Sequence, residues 1–381
     1  MRGDDIARFR ELLQEPGFLT GPFDITVSLV APTDQAQRFL AEGHIGEIQT
    51  SVTVTPSRSA DMNGTLFEFD VAGPDSSVLA SGAGLDNLPG LPFSVSGRAE
   101  YRVTSLRFPT ANAKLGPTSA ILSGIVGLGA YGDGTDIQVS ISTPALLKTL
   151  QSIGVDGGPN IAAEAAANIR VADEQVRLSQ VDATLGDIDI EGSVSANLRQ
   201  PADSLRHNLT ARSNDLSRSL SEVTTYKPPA SPFMLRLDAT LNKESLELRD
   251  LNVALGDAHI AIDGVVDRPP DMAGTSLRVA ADIPNLSALS APDGQALPDF
   301  PLLVSGRFTG AEDRVSGQGV SVTAGDSQLL ADFSYRHADV PEIEVSLVSP
   351  HLDARPFAGT EEADQVTSEP NGDRVIPDIP I

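Results

Sequence analysis

Four glycines constrain this chain more than any other residues. Gly116, Gly186, Gly256 and Gly325 sit in the triplets Leu115-Gly116-Pro117, Leu185-Gly186-Asp187, Leu255-Gly256-Asp257 and Ala324-Gly325-Asp326, at intervals of 70, 70 and 69 residues. A fixed period of that length means one structural unit copied along the chain, each copy packing on its neighbours. Two further motifs keep order with the glycines. "ITVSLVAP" begins at Ile25, "IQVSISTP" at Ile137 and "IEVSLVSP" at Ile343, while "LPFSVSGR" from Leu91 matches "FPLLVSGR" from Phe300. An earlier, shorter copy is expected to end at Gly73-Pro74, 43 residues before Gly116.

Each copy reads as β structure. Phe93, Val95, Gly97, Ala99, Tyr101 and Val103 alternate with Ser94, Ser96, Arg98, Glu100, Arg102 and Thr104. Phe233, Leu235, Leu237, Ala239 and Leu241 alternate in the same way with Met234, Arg236, Asp238 and Thr240. Successive side chains of a strand point to opposite faces, so this period gives one apolar face and one wet face. Asn242-Lys243-Glu244 turns the chain, and Leu246, Leu248, Val253 and Leu255 resume the pattern. The glycine of each Leu-Gly-Asp triplet tolerates the positive φ that a tight turn needs.

Short helices are expected between copies. "STPALLKTLQSIG" offers Thr143 as N-cap, Pro144 at the first helical position and Gly154 past the end; "APTDQAQRFLAEG" puts Thr33 and Gly43 in the same places. Later counterparts shrink to "NDLSRSL" (from Asn214), "PNLSAL" (from Pro284) and "PHLDARPF" (from Pro350), read as crossovers. The expected organisation is a helical lead-in over 1–20, a repeat array over 21–358 and a polar, acidic linker over 359–381.

Composition removes several function classes. No cysteine is present, so disulfides and thiolate metal sites are excluded. The 27 basic residues against 52 acidic ones give −25, which disfavours nucleic acid and anionic membrane surfaces as partners. No apolar run is long enough for a membrane-spanning helix. "GLGAYG" at Gly127 to Gly132 fits a dinucleotide fingerprint, but "DGTDIQVS" follows, a turn and a strand where a helix must start; it reads as a glycine-rich turn. His44, His207, His259, His337 and His351 are scattered without ligand spacing, and His259 belongs to the polar set of its strand. Asp187, Asp257 and Asp326 recur once per copy, which raises a calcium ladder, but a turn aspartate accepting a backbone hydrogen bond accounts for them. No catalytic residue, metal or cofactor is expected.

What remains is a sheet whose apolar face needs cover. A sandwich would supply a second sheet, yet aromatics are only 4% of the chain and tryptophan is absent, so a sandwich core would be poorly filled. The expected fold is mostly β: an elongated antiparallel sheet of about 20 strands, curled lengthwise into a groove, and on the order of 100 Å long at about 4.8 Å per strand. Candidate lining residues are Ile25, Val27 and Leu29; Phe93 and Val95; Ile137, Val139 and Ile141; Leu235 and Leu237; Ile260 and Ile262; Leu302 and Val304; and Ile343, Val345 and Leu347. The competing reading is that these side chains pack only against one another.

The order "LPFSVSGR", strand, Leu-Gly-Asp, glycine, "IEVSLVSPHLD" resembles the AsmA-like family of Gram-negative envelope proteins, including its TamB-type members, over roughly Gly21 to Gly359. The closing "RVIPDIPI" resembles the family's approach to a further repeat. The resemblance implies a repeating β-groove with an apolar interior. It also implies an inner-membrane tether outside this chain, a periplasmic location, an outer-membrane partner and conduction of phospholipid acyl chains between the membranes. On that basis the chain is expected to be an internal piece of a longer protein. Two other classes stay open: an assembly factor that offers strand edges to outer-membrane proteins, and a β-repeat adhesin with a dry core.

Overall fold

Alternating segments of eight to eleven residues, joined by short turns, can satisfy their backbone groups by pairing each strand with its chain neighbour. The computed structural model describes residues 2–3, 21–30, 37–79, 90–152, 160–220, 230–267, 273–289, 297–337 and 341–353, and there the chain does this throughout. After a two-residue strand β1 (Arg2–Gly3), five four-strand units follow. The first holds β2 (Phe23–Val30), β3 (Arg38–Ile45), β4 (Ile48–Thr55) and β5 (Leu66–Gly73). The second holds β6 (Phe93–Arg102), β7 (Ser105–Leu115), β8 (Thr118–Gly127) and β9 (Thr135–Thr143). The third holds β10 (Ala163–Ala172), β11 (Gln175–Leu185), β12 (Ile188–Asn197) and β13 (Leu205–Ser213). The fourth holds β14 (Phe233–Leu241), β15 (Ser245–Leu255), β16 (Ala258–Asp267) and β17 (Ser276–Ile283). The fifth holds β18 (Leu302–Ala311), β19 (Arg314–Ala324), β20 (Ser327–Arg336) and β21 (Glu342–His351). Every ladder is antiparallel and joins consecutive strands. The result is one 21-stranded sheet that does not close on itself.

The period is written into the backbone. Gly46, Gly116, Gly186, Gly256 and Gly325 open two-residue turns with φ between 54° and 59°, the position where hairpins of this length use glycine. Each donates its amide to the residue just before the first strand of its unit: to Pro22, Pro92, Ala162, Pro232 and Pro301, at 2.7 to 3.0 Å. Gly46 lies 70 residues before Gly116, so the first unit is full length and its turn glycine is Gly46, not Gly73. Gly73 ends β5 and pairs with Phe93; the turn motif at 45–47 reads Ile-Gly-Glu and lacks the Leu-Gly-Asp signature.

Crossovers between units are short. Helix α1 (Leu146–Ser152), helix α2 (Leu216–Leu220) and single 3₁₀ turns at Ser76–Leu79 and Leu286–Ala288 occupy equivalent places. Each is pinned by one amide, from Ser76, Leu146, Leu216 or Leu286, to a carbonyl of the segment before the next strand, at 2.8 to 3.0 Å. Three expected helices need correction. Arg2–Gly3 is a strand paired with Phe23 and Asp24, and the rest of the 1–20 lead-in lies outside the described residues. In "APTDQAQRFLAEG", residues from Arg38 onward form β3, because Phe39, Ala41 and Gly43 pair with Val54, Val52 and Thr50 and that pairing overrides the capping signals. Thr33 lies outside the described residues, as do Gly154, everything from Ala354 onward and so the acidic linker. Pro350 and His351 of "PHLDARPF" end β21.

A bulge recurs in the second strand of units two to five. Pro109–Thr110, Ser179–Gln180, Arg249–Asp250 and Gln318–Gly319 each oppose one residue of the following strand. An extra residue bends its strand and raises the local twist. It also moves the alternation by one place. Leu246 and Leu248 before the bulge therefore share a face with Leu251, Val253 and Leu255 after it.

Candidate functional site

Chaining the ladder registers shows what lies across the sheet. One row, at right angles to the strands, runs Ile25, Gly43, Thr50, Val71, Val95, Ala113, Ala120, Ile141, Ala165 and Ala183. It continues through Ile190, Ala211, Leu235, Val253, Ile260, Ala281, Val304, Val322 and Leu329. Two residues along each strand is a second row, which includes Val27, Val52, Phe69, Val139, Leu237, Ile262 and Leu347. A third includes Leu29, Phe67, Ile137, Ile169, Leu277, Phe308, Phe333 and Val345. Phe93 and Leu302 stand on the same face at the rim that carries the glycine turns, and Ile343 at the opposite rim. All the lining residues expected from sequence therefore sit on one face, gathered into adjoining rows.

These three rows hold no charged side chain. Their only polar ones are Thr50 and His207, in a chain that is 21% charged. Among the described residues, every buried strand residue also lies on this face, Thr240 and Gly127 excepted. Ala99, Ala111, Ala239, Leu248 and Val320 are at most 9% exposed, with no second layer of described residues over them. That asymmetry is what a sheet bent toward its apolar face produces. At either end the face opens: Val27 is 53% exposed, Leu29 56%, Val345 60% and Leu347 58%. The rows cover on the order of 1,000 Å², against roughly 300–600 Å² for the largest apolar patch on a typical monomer.

Glycines fit the bend. Gly124, Gly192 and Gly264 lie beside the bulges at φ 125°, 155° and 134°. A Cβ on Gly264 would stand 2.0 Å from the carbonyl oxygen of Ser276. Gly317 leaves room for the rings of Phe308 and Phe333, whose centroids are 6.2 Å apart across it.

The other face is polar and internally paired. Arg98 meets Glu68 at 3.1 Å, Arg170 meets Asp136 at 2.5 Å, and Arg278 meets Asp263 at 2.6 Å, each pair directly across adjacent strands. The hydrogen bond to Asp136 holds the Arg170 guanidinium above its ordinary value. A hollow of about 740 Å³ lies on this face between Asp263, Arg278, Arg307 and Gln318. Asp263 and Arg278 already pair with each other and the hollow opens to water, so it is a weaker candidate than the continuous face opposite. His259 is on the polar face, opposite Asp282.

Asp187, Asp257 and Asp326 occupy the second place of the glycine turns, and no three His, Asp or Glu side chains gather to hold a metal among the described residues. Ala130–Gly132 of "GLGAYG" form a 3₁₀ turn before β9. No described helix is long and apolar enough to cross a membrane. No family model, curated protein or solved structure matches the chain.

Proposed function

We propose that the apolar face is a track for acyl chains, and that the protein carries phospholipid along it between the inner and outer membranes of a bacterial envelope. One observation carries this reading: three adjoining rows cross the sheet without a charge and without a covering layer. A chain of about 16 carbons taken into water costs on the order of 10 kcal/mol, at about 0.8 kcal/mol per methylene. A continuous apolar floor removes that cost at every step, whereas isolated pockets would remove it only at the ends. The resemblance to AsmA-like proteins supplies the membranes, the tether and the periplasmic setting. The chemistry is binding and guidance, with no bond made or broken.

The test is lipid analysis of protein purified in mild detergent from a bacterial envelope. Diacyl lipid in amounts approaching or exceeding one molecule per chain is expected. Protein that stays monomeric, carries no lipid and takes up no fluorescent fatty acid would count for the adhesin.

A second reading has its own observation. All ten residues of β21 are exposed, and among the described residues β21 is an edge of the sheet, which suits strand addition to an outer-membrane protein. That reading predicts loss of function from proline in β21 and indifference to charge in the middle of the track.

A further inference from the structure

We infer that His207 is the point on the apolar track that holds an anionic lipid headgroup; this rests on the acyl-track reading above. His207 lies in β13, in the third row, between Val194 and Ala239. Beside it on the same face, β12 contributes Gly192, Val194 and Ala196, β14 contributes Leu237, Ala239 and Leu241, and β13 itself Leu205 and Leu209. None is charged or titratable. The ring is half-buried and makes no hydrogen bond among the described residues.

An imidazole has two ring nitrogens to satisfy, and here the protein satisfies neither, so water or a ligand must. A lipid whose tails lie on the rows brings its own hydrogen-bonding group close to the same surface. Imidazoles gain a proton between about pH 5 and 8. A protonated ring would donate to a phosphate or carboxylate oxygen with no competing cation on this face of the neighbouring strands, and its positive charge selects anionic over zwitterionic or neutral headgroups. Thr50, the other polar side chain of the rows, cannot carry charge and has no such preference. His44 and His259 are on the polar face, and His337 and His351 lie at the strand ends. A pH effect seen on the track and removed by changing His207 is therefore separable from theirs.

The experiment measures binding to the full chain of three amphiphiles with the same single tail: a phosphoglycerol, anionic throughout the range, a phosphocholine and a neutral monoglyceride. At pH 5.5 the phosphoglycerol should bind about fivefold tighter than at pH 8, with little change for the other two. His207→Leu should remove that gain and leave monoglyceride binding intact; His207→Gln, which keeps a hydrogen bond without charge, should also lose the pH dependence. A pH gain that survives His207→Leu, or no gain in the native protein, overturns the assignment of His207 while leaving the track standing. Millimolar inorganic phosphate that displaces the phosphoglycerol would show a site for free anions and overturn the headgroup assignment. Failure of all three amphiphiles to bind at either pH sinks the track itself.

Discussion

The two faces of this sheet share every backbone atom and differ in almost everything else. In β14, Leu235, Leu237 and Ala239 face one way and Met234, Arg236 and Asp238 the other. The first set joins rows that run unbroken by charge through all five units; the second joins Arg, Asp, Glu, Ser and Asn side chains that pair across neighbouring strands. Backbone pairing and turn chemistry alone would be met by polar residues on both faces. The apolar rows are therefore an added feature, and in units two to five a bulge keeps them in line by returning the alternation to one face. The comparison separates backbone pairing from the continuous apolar surface on which the proposed function rests.

The sharpest way to break that separation is to put charge on one face and rearrange it on the other. Leu235→Asp with Leu237→Asp places two carboxylates at one cross-section near the middle of the track. Water reaches an uncovered face, so the carboxylates stay hydrated and the variant should lose no more than about 1–2 kcal/mol of stability. Lipid recovered with the protein should fall by about tenfold or more, and transfer should stop. The control, Arg236→Asp with Asp238→Arg, exchanges charges on the other face of the same strand and should leave both quantities nearly unchanged. Collapse of the fold by the Asp pair would mean a sealed core. Normal folding with normal transfer would mean that lipid travels elsewhere.

The bend toward the apolar face gives the second contrast, between glycines that shape the floor and glycines that only turn the chain. Gly264→Ala would force a Cβ against the Ser276 carbonyl at φ 134°. Local backbone strain of that kind costs about 1–3 kcal/mol, and here the β16–β17 ladder must also move. Gly46→Ala meets nothing within 4 Å and keeps only the penalty of φ 57°, roughly 1 kcal/mol. Repeat arrays open locally, so amide exchange strand by strand is the measurement. Faster exchange confined to β15–β18 is expected for Gly264→Ala, and a smaller effect at β3–β4 for Gly46→Ala. Equal effects would show that Gly264 has no special part in the bend.

Much of this was legible in advance, because the architecture follows from local rules repeated many times. Period-two alternation placed the lining residues on one face, and the positive-φ requirement of a two-residue turn exposed the 70-residue repeat. The parts that escaped depend on pairing. Arg38 to Ile45 has helical capping signals, yet β2 and β4 on either side claim it as a strand. The bulges leave only a slip of parity, Leu246 and Leu248 giving way to Leu251 and Val253, which is easily read as imperfect alternation. Thr65, Thr135 and Thr275 are spaced by the repeat and accept amides from Ser57, Gly127 and Asp267, but a hydroxyl serving one loop amide leaves no pattern beyond its period. His207 looked like one of five scattered histidines until the ladders set it among Val194, Ala239 and Leu209.

The smallest expected effect contrasts the crossovers themselves. Asp75 accepts from the Ser77 amide at 2.8 Å, and Asp215 from the Ser217 amide at 3.0 Å and its hydroxyl at 2.6 Å. Asn285 does the same work in the next unit, accepting from the Ser287 amide at 2.9 Å and its hydroxyl at 2.7 Å. The hydrogen bonds from Ser77 and Ser217 lower both carboxyl groups below the ordinary 3.8. A lowered carboxyl contributes its stabilisation fully above the ordinary value and loses it as pH falls through the lowered one. Acid below about pH 4 should thus loosen the crossovers at Asp75 and Asp215, since a protonated carboxyl accepts these bonds more weakly. The amide of Ser287 has no titrating partner and should hold. Asp215→Asn should make α2 behave like the Asn285 turn, its Ser217 amide shift flat between pH 5 and 2.5. If the Ser287 amide moves with pH as much as Ser217 does, acid is acting on the whole sheet and the caps are not the cause.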